Sequence, residues 1–163
     1  MLINKEIEKA INDQINAELY SAYLYLSMAA YFESENLKGF ANWMQVQAKE
    51  EVEHAMKFYS YLNERGGRVF LSEIKKPETE WDSPLAVFEH VYEHEKGVTE
   101  RIYKLVDLAT SKNDHTTKSL LNWFVDEQVE EEASANETLE MLKRVKDSPN
   151  ALFMLDSRLG GRK

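Results

Sequence analysis

The amino-acid sequence predicts an all-α domain: a four-helix bundle with one long crossover between its second and third helices and a short fifth helix at the C-terminus. Long segments repeat apolar residues with a 3.6-residue period, and no stretch alternates as a half-buried strand does. Chain breakers are sparse. Gly66-Gly67, Pro77, Pro84, Pro149 and Gly160-Gly161 separate the periodic segments, while Gly39 and Gly97 fall inside helical patterns. The connections are unequal in length, which sets the topology.

In order, the pattern predicts α1 over about 4–33, α2 over about 37–64, α3 over about 84–110, α4 over about 115–146 and α5 over about 150–159. Asn36 is the expected N-cap of α2, and Gly66 the left-handed residue that ends it. Ser83-Pro84 and Ser148-Pro149 pair an N-cap with a first-turn proline ahead of α3 and α5. About three residues join α1 to α2 and about four join α3 to α4, so each pair forms an antiparallel hairpin. Between the hairpins run about nineteen residues, Arg65 to Ser83. Extended, they reach ~60 Å, against ~42 Å for a 28-residue helix. The crossover can therefore span the bundle and start α3 beside the start of α2.

A length of 163 residues fits one domain over 1–163. With 20 Lys+Arg against 29 Asp+Glu, the net charge of −9 argues against nucleic-acid partners, whose phosphates need a basic footprint, and favours cations. The chain has no cysteine, which excludes disulfides, thiolate zinc, iron–sulfur clusters and a thiol nucleophile. Charges at Lys5, Glu6, Glu8, Lys9, Asp13 and Glu18 rule out a signal-peptide core. The most apolar stretch, Leu19 to Phe32, is 14 residues long, short of the ~20 a membrane span needs. A cytoplasmic protein with no membrane partner is the expectation.

The chemistry lies in interruptions of the buried rows. On α1 the row reads Ile7, Ile11, Ile15, Glu18, Ala22, Tyr25, Ala29, Phe32; on α2 it reads Leu37, Phe40, Met44, Ala48, Glu51, Ala55, Phe58, Leu62. On α3 it is Phe88, Val91, Glu95, Val98, Ile102, Leu105, Ala109, and on α4 Leu120, Phe124, Gln128, Glu131, Ala135, Leu139, Leu142. Each row is apolar except near its middle, where a carboxylate stands. Counted from the hairpin ends, each glutamate lies about 14 to 16 residues along its helix, so antiparallel pairing brings all of them to one level within a turn of about 5.4 Å. His54 shares the face of Glu51 at i, i+3, making Glu51-x-x-His54.

Unpaired buried carboxylates cost several kcal/mol each, and no Lys or Arg occupies these central rows. Protons or metal ions must neutralise them. Glutamates from four helices with a Glu-x-x-His form the donor set of a di-iron carboxylate site, in which oxygen ligands suit hard cations and imidazole favours iron, manganese or zinc.

These residues carry a resemblance. Glu18 within NDQINAELYSAYLY, the run Glu50-Glu51-Val52-Glu53-His54-Ala55, His94-Glu95, and WFVDEQVEEE from Trp123 to Glu132 resemble the prokaryotic non-haem ferritins over about residues 3–159. The resemblance implies a ferritin-like four-helix bundle and a ferroxidase centre with Glu18, Glu51 and His54 at a first iron. Glu51 would bridge to a second iron held by Glu95 and Glu131, with Gln128 beside it, and a third iron would lie on Glu50, Glu127, Glu130 and Glu131. No haem is expected: bacterioferritins carry a second Glu-x-x-His and a haem-ligating Met, whereas here position 131 is Glu and position 52 is Val. Rubrerythrins usually append a Cys-rich iron domain, and Dps-type cages place the metal between subunits.

The implied activity is oxidation of Fe(II) by O2 or H2O2, with Fe(III) stored as mineral. Anionic oxygen ligands favour Fe(III) over Fe(II) by Coulombic attraction. Two irons bridged by Glu51 can pass two electrons to O2 together. Tyr25, seven residues beyond Glu18 on the same face, is placed to donate an electron or hydrogen-bond a ligand. The rival class is a rubrerythrin-like, peroxide-reducing di-iron enzyme without mineral storage.

Elsewhere the pattern is structural. His90 and His94 stand at i, i+4, but the phase of α3 turns His90 from the core. His115 and Asp114 are candidates to line a pore between subunits, with Asp114 more simply an N-cap; Trp43, Trp81 and Trp123 read as packing residues. Tyr20, Tyr23, Leu24 and Tyr31 give α1 a second apolar side that calls for a partner, hence a homo-oligomer. The family resemblance implies a shell of 24 subunits.

Overall fold

Residues 2–163, which the computed structural model describes, contain five helices and no strand. They are α1 (Lys5–Ser34), α2 (Lys38–Glu64), α3 (Pro84–Ser111), α4 (His115–Val145) and α5 (Pro149–Leu159). Their starts follow side-chain chemistry. Asn4 accepts from the backbone N–H of Glu6 and Ile7, Ser83 from Ala86, Asp114 from Thr117 and Ser148 from Ala151.

Three helix ends share one device. Asn36, Gly66 and Asn113 each adopt positive φ, at 59°, 73° and 54°. At each, the following residue reaches back five positions: Leu37 N–H to Phe32, Gly67 to Leu62 and Asp114 to Ala109, at 2.9 to 3.0 Å. This is the Schellman closure, and asparagine tolerates its left-handed position better than most residues. Asn36 therefore closes α1 and does not cap α2, whose N-cap position is Leu37 and carries no side-chain hydrogen bond. The short connection leaves one residue for one of the two tasks.

The crossover lies along α1 and runs in the same direction. Asn12 donates to the carbonyl of Arg68 and accepts from Phe70 N–H, Asn16 donates to the carbonyls of Ser72 and Glu73, and Ser27 donates to that of Glu78. The strap thus begins beside the first turn of α1, where Ile3 N–H bonds the Arg65 carbonyl at 3.2 Å, and delivers α3 to the opposite end. Both hairpins are antiparallel, and α1 packs on α3 as well as α2.

The apolar interior is divided in two. One cluster includes Phe32, Phe40, Met44, Phe88 and Leu139; the other includes Ile7, Ile11, Phe58, Ile102 and Phe124. A layer of buried polar side chains separates them, from Glu18, Gln47, Glu51 and His54 to Glu95, Gln128 and Glu131. The row on α4 starts at Leu121, fully buried, and not at Leu120, which packs from the edge. Helix α5 folds back on the start of α2. There Asp156 accepts from Phe40 N–H at 3.0 Å, and a Cβ on Gly39 would lie 1.6 Å from the Asp156 carbonyl oxygen.

The second apolar side of α1 is smaller than its sequence implies. Leu24 is fully buried and Tyr31 is covered by Trp81 of the crossover, their rings 5.7 Å apart. Tyr23 and Leu26 remain half exposed, with Phe70, Leu71 and Ile74 of the strap also open. No helix among the described residues is long and apolar enough to cross a membrane.

Candidate metal centre

Helical periodicity at matched heights brings one carboxylate inward from each long helix. Glu18, Glu51, Glu95 and Glu131 are all buried, as are His54 and Gln128. They form three overlapping groups, each with candidate ligand atoms within 4.8 Å of one another: Glu18–Glu51–His54, Glu51–Glu95–Glu131 and His54–Glu127–Glu131. Glu51 belongs to the first two. The first group sits within the α1–α2 hairpin, and the second spans both hairpins.

Neutral donors hold these acceptors in place. Gln14 donates to Glu18 at 2.9 Å. Gln47 donates to Glu51 at 3.1 Å and to Glu131 at 2.6 Å, joining α2 to α4. Gln128 donates to Glu95 Oε2 at 3.1 Å and to Thr99 Oγ1 at 3.2 Å, and the Tyr25 hydroxyl donates to Glu95 Oε1. His54 places Nδ1 3.2 Å from Glu51 and 4.0 Å from Glu18, and Nε2 3.7 Å from Glu127. Its ring is wedged against Trp123 and Phe124.

Gln14, Gln47 and Thr99 are absent from the sequence-derived candidates. A signal for the first two exists: Gln-x-x-x-Glu recurs at 14/18 and 47/51, and i, i+4 residues share a helix face. Thr99 has the same spacing from Glu95. Of the residues expected at a third cation, Glu127 and Glu131 meet His54, whereas Glu130 is exposed and lies outside all three groups. Glu50 is partly exposed and pairs with Arg162 at 3.0 Å.

Burial and mutual repulsion set the electrostatics of this layer. Burial pushes Glu95 up to about 7, although the Tyr25 and Gln128 donors pull it back. Burial and the neighbouring Glu95 push Glu131 up to about 8. Glu18 and Glu51 are held well above the usual carboxylate range, first by burial, then by the charge of Glu51 on the one and of Glu95 on the other. Burial and Glu95 likewise raise the Tyr25 phenol. Glu18 Oε2 is buried without a hydrogen-bond partner among the described residues. An acceptor-only atom aimed into a layer of acceptors is satisfied by a proton or a cation, and oxygen donors with one imidazole fit a hard or borderline divalent ion.

The other candidates have local partners. Trp81 Nε1 donates to His90 at 3.1 Å, while His94 is hydrogen-bonded to Ser21 at 2.8 Å and held down to about 4 by burial. The two imidazoles are thus engaged separately. Asp114 caps α4 and forms a two-pronged pair with Arg65 at 3.0 and 3.1 Å.

A family model described as a ferritin-like domain matches residues 8–145. The chain is 45% identical over 161 residues to a bacterial non-heme ferritin of Bacteroides fragilis, covering 99% of this chain and 100% of the relative. It is 43% identical to that of Staphylococcus saprophyticus, covering 99% and 96%. Among solved structures, an open pore ferritin from the hyperthermophilic archaeon Archaeoglobus fulgidus superposes with a TM-score of 0.98 at 55% identity over 99% of both chains. A closed form of that ferritin, engineered by site-directed mutagenesis, gives the same TM-score and identity over 99% of this chain and 98% of its own.

Proposed function

The chain belongs to the ferritin family, and from that premise we propose that it oxidises Fe(II) at an intra-subunit di-iron centre and stores the Fe(III) as mineral inside a shell of identical subunits. The observation that carries the reading is the sharing of Glu51 between two buried ligand groups. One carboxylate common to both groups supports a reading of two adjoining cation positions. Glu18, Glu51 and His54 would hold the first iron, and Glu51, Glu95 and Glu131 the second, with Gln128 fixing Glu95 from the side.

In this reading iron is substrate and cargo. Two Fe(II) ions side by side supply two electrons to one O2, which with two protons becomes H2O2. The carboxylates favour the product because the attraction of an anionic ligand grows with the cation's charge. Loading must displace the protons that burial places on Glu95 and Glu131. His54 and Glu127, with Glu131, would offer product iron a more open position beside the centre. Glu50 and Glu130 would extend that exit as a third iron position.

Oligomerisation is supported by the exposed apolar strip of Tyr23, Leu26, Phe70, Leu71 and Ile74. Membership of the ferritin family makes 24 subunits the proposed number. Aerobic addition of Fe(II) followed by size-exclusion with iron detection tests the whole reading. Iron co-eluting with a very large particle is the expected result. Turnover with H2O2 by a small, iron-poor oligomer would instead identify a peroxide-reducing enzyme.

A further inference from the structure

The C-terminal tail enters the outer wall of the ligand layer. Beyond α5 the chain turns at Gly160-Gly161, and Asn42 of α2 fastens it by donating to the Arg162 carbonyl at 2.9 Å. The Arg162 guanidinium lies 4.4 Å from the Trp43 ring centroid and donates to the Trp43 carbonyl at 3.2 Å. Its Nη2 donates to Gln47 Oε1 at 2.9 Å and to Glu50 Oε2 at 3.0 Å. The Arg162 side chain is 22% exposed, so this is a seated group with defined partners.

The contact with Gln47 has a directional consequence. A guanidinium only donates, so the amide oxygen of Gln47 must face Arg162 and its nitrogen must face inward. That nitrogen is the donor to Glu51 and Glu131. Without Arg162, the amide of Gln47 loses its outer partner and is free to turn. The contact with Glu50 is competitive: a carboxylate paired with a guanidinium is less available to a metal ion.

We propose that Arg162 is a positioning residue for cation loading, which orients Gln47 toward Glu51 and Glu131 and withholds Glu50 from an outer cation position. This rests on the reading of the centre given above. Iron leaving the two inner positions toward Glu50 would have to displace the tail's guanidinium, so the tail sets how readily the outer position fills.

Anaerobic Co(II) titration of the assembled full-length protein, followed by visible absorption and calorimetry, separates the two claims. The wild-type protein is expected to take two Co(II) per chain and then a weaker third. Arg162→Ala should tighten the third step roughly fivefold, the scale of one partly exposed ion pair, and change the absorption of the first two ions as Gln47 is released. Glu50→Ala should abolish the third step with or without Arg162. If Arg162→Ala fails to assemble, Arg162→Met keeps the stem over Trp43 without the charge and should give the same shift. A third step and inner absorption unmoved by loss of Arg162 overturn the proposal. Absence of the two-ion step in the wild type overturns the reading of the centre instead.

Discussion

The hydroxyl of Tyr25 on α1 donates to Oε1 of Glu95 on α3, within the layer that separates the two halves of the core. This bond opposes the effect of burial on Glu95, which stands at about 7 with Tyr25 among the groups holding it down. Tyr25→Phe should raise Glu95 further and leave Oε1 without its donor. Divalent-cation affinity should then fall by about three- to tenfold at pH 6.5 and by less at pH 8.5, where Glu95 ionises in any case. Anaerobic calorimetry at both pH values checks this, and an equal loss at both would refute it.

Metal-free protein should lose stability as pH rises. Glu95 at about 7 and Glu131 at about 8 lie above the ordinary carboxylate value, so the folded chain holds their protons more tightly than the unfolded chain does. That contribution is complete below about pH 4.3 and disappears as pH climbs through the folded values. His94, held down to about 4, acts in the opposite sense. Its contribution is complete above about pH 6.5, so thermal melts at about pH 6.8 and 8.8 isolate the carboxylates. The melting temperature should drop by several degrees across that interval after chelation and stay level with saturating divalent cation. A flat profile in the chelated protein would count against the assignment.

Glu18 has a buried oxygen with no hydrogen-bond partner among the described residues, so its charge serves the metal-free fold poorly. Glu18→Gln keeps the shape and removes the charge. At pH 8.5 it should stabilise the chelated protein by about 1–3 kcal/mol while lowering the Fe(II) oxidation rate by at least about 100-fold. Denaturant unfolding paired with stopped-flow oxidation measures both. A variant less stable than the parent would show that Glu18 is satisfied in some other way.

Gly39→Ala tests the seat of α5. An added Cβ would stand 1.6 Å from the Asp156 carbonyl oxygen, where neither backbone can yield locally. Displacement of α5 should lower stability by about 1–3 kcal/mol and expose residues 149–159 to protease. Gly97→Ala is the control: nothing lies within 4 Å of its Cβ position, so it should gain a few tenths of a kcal/mol to about 1 kcal/mol from helix propensity.

Helix number, crossover and polar layer are legible in the sequence because they follow from periodicity and loop length, which are local. The rows on α1, α2 and α3 coincide with buried positions throughout, and α4 differs only in starting from Leu121. Asn36 misleads because asparagine suits both a helix start and a left-handed helix end, and only the backbone path decides. Tyr31 reads as open because the strap whose Trp81 covers it has no periodicity to reveal its course. Gln14 and Gln47 carry a readable spacing signal. Arg162 carries none, since its reach to Gln47 depends on how α5 folds back.

The division of ligands between the hairpins gives the two cation positions unequal mechanical roles. An ion on Glu18, Glu51 and His54 bonds only within one hairpin, whereas an ion on Glu51, Glu95 and Glu131 is a rivet between the two. Each arrival and departure at the second position would fasten or loosen the seam along which the halves of the subunit meet. In the proposed oxidation of iron this would be felt as a pulse of cohesion across the subunit, greatest when the rivet carries three positive charges.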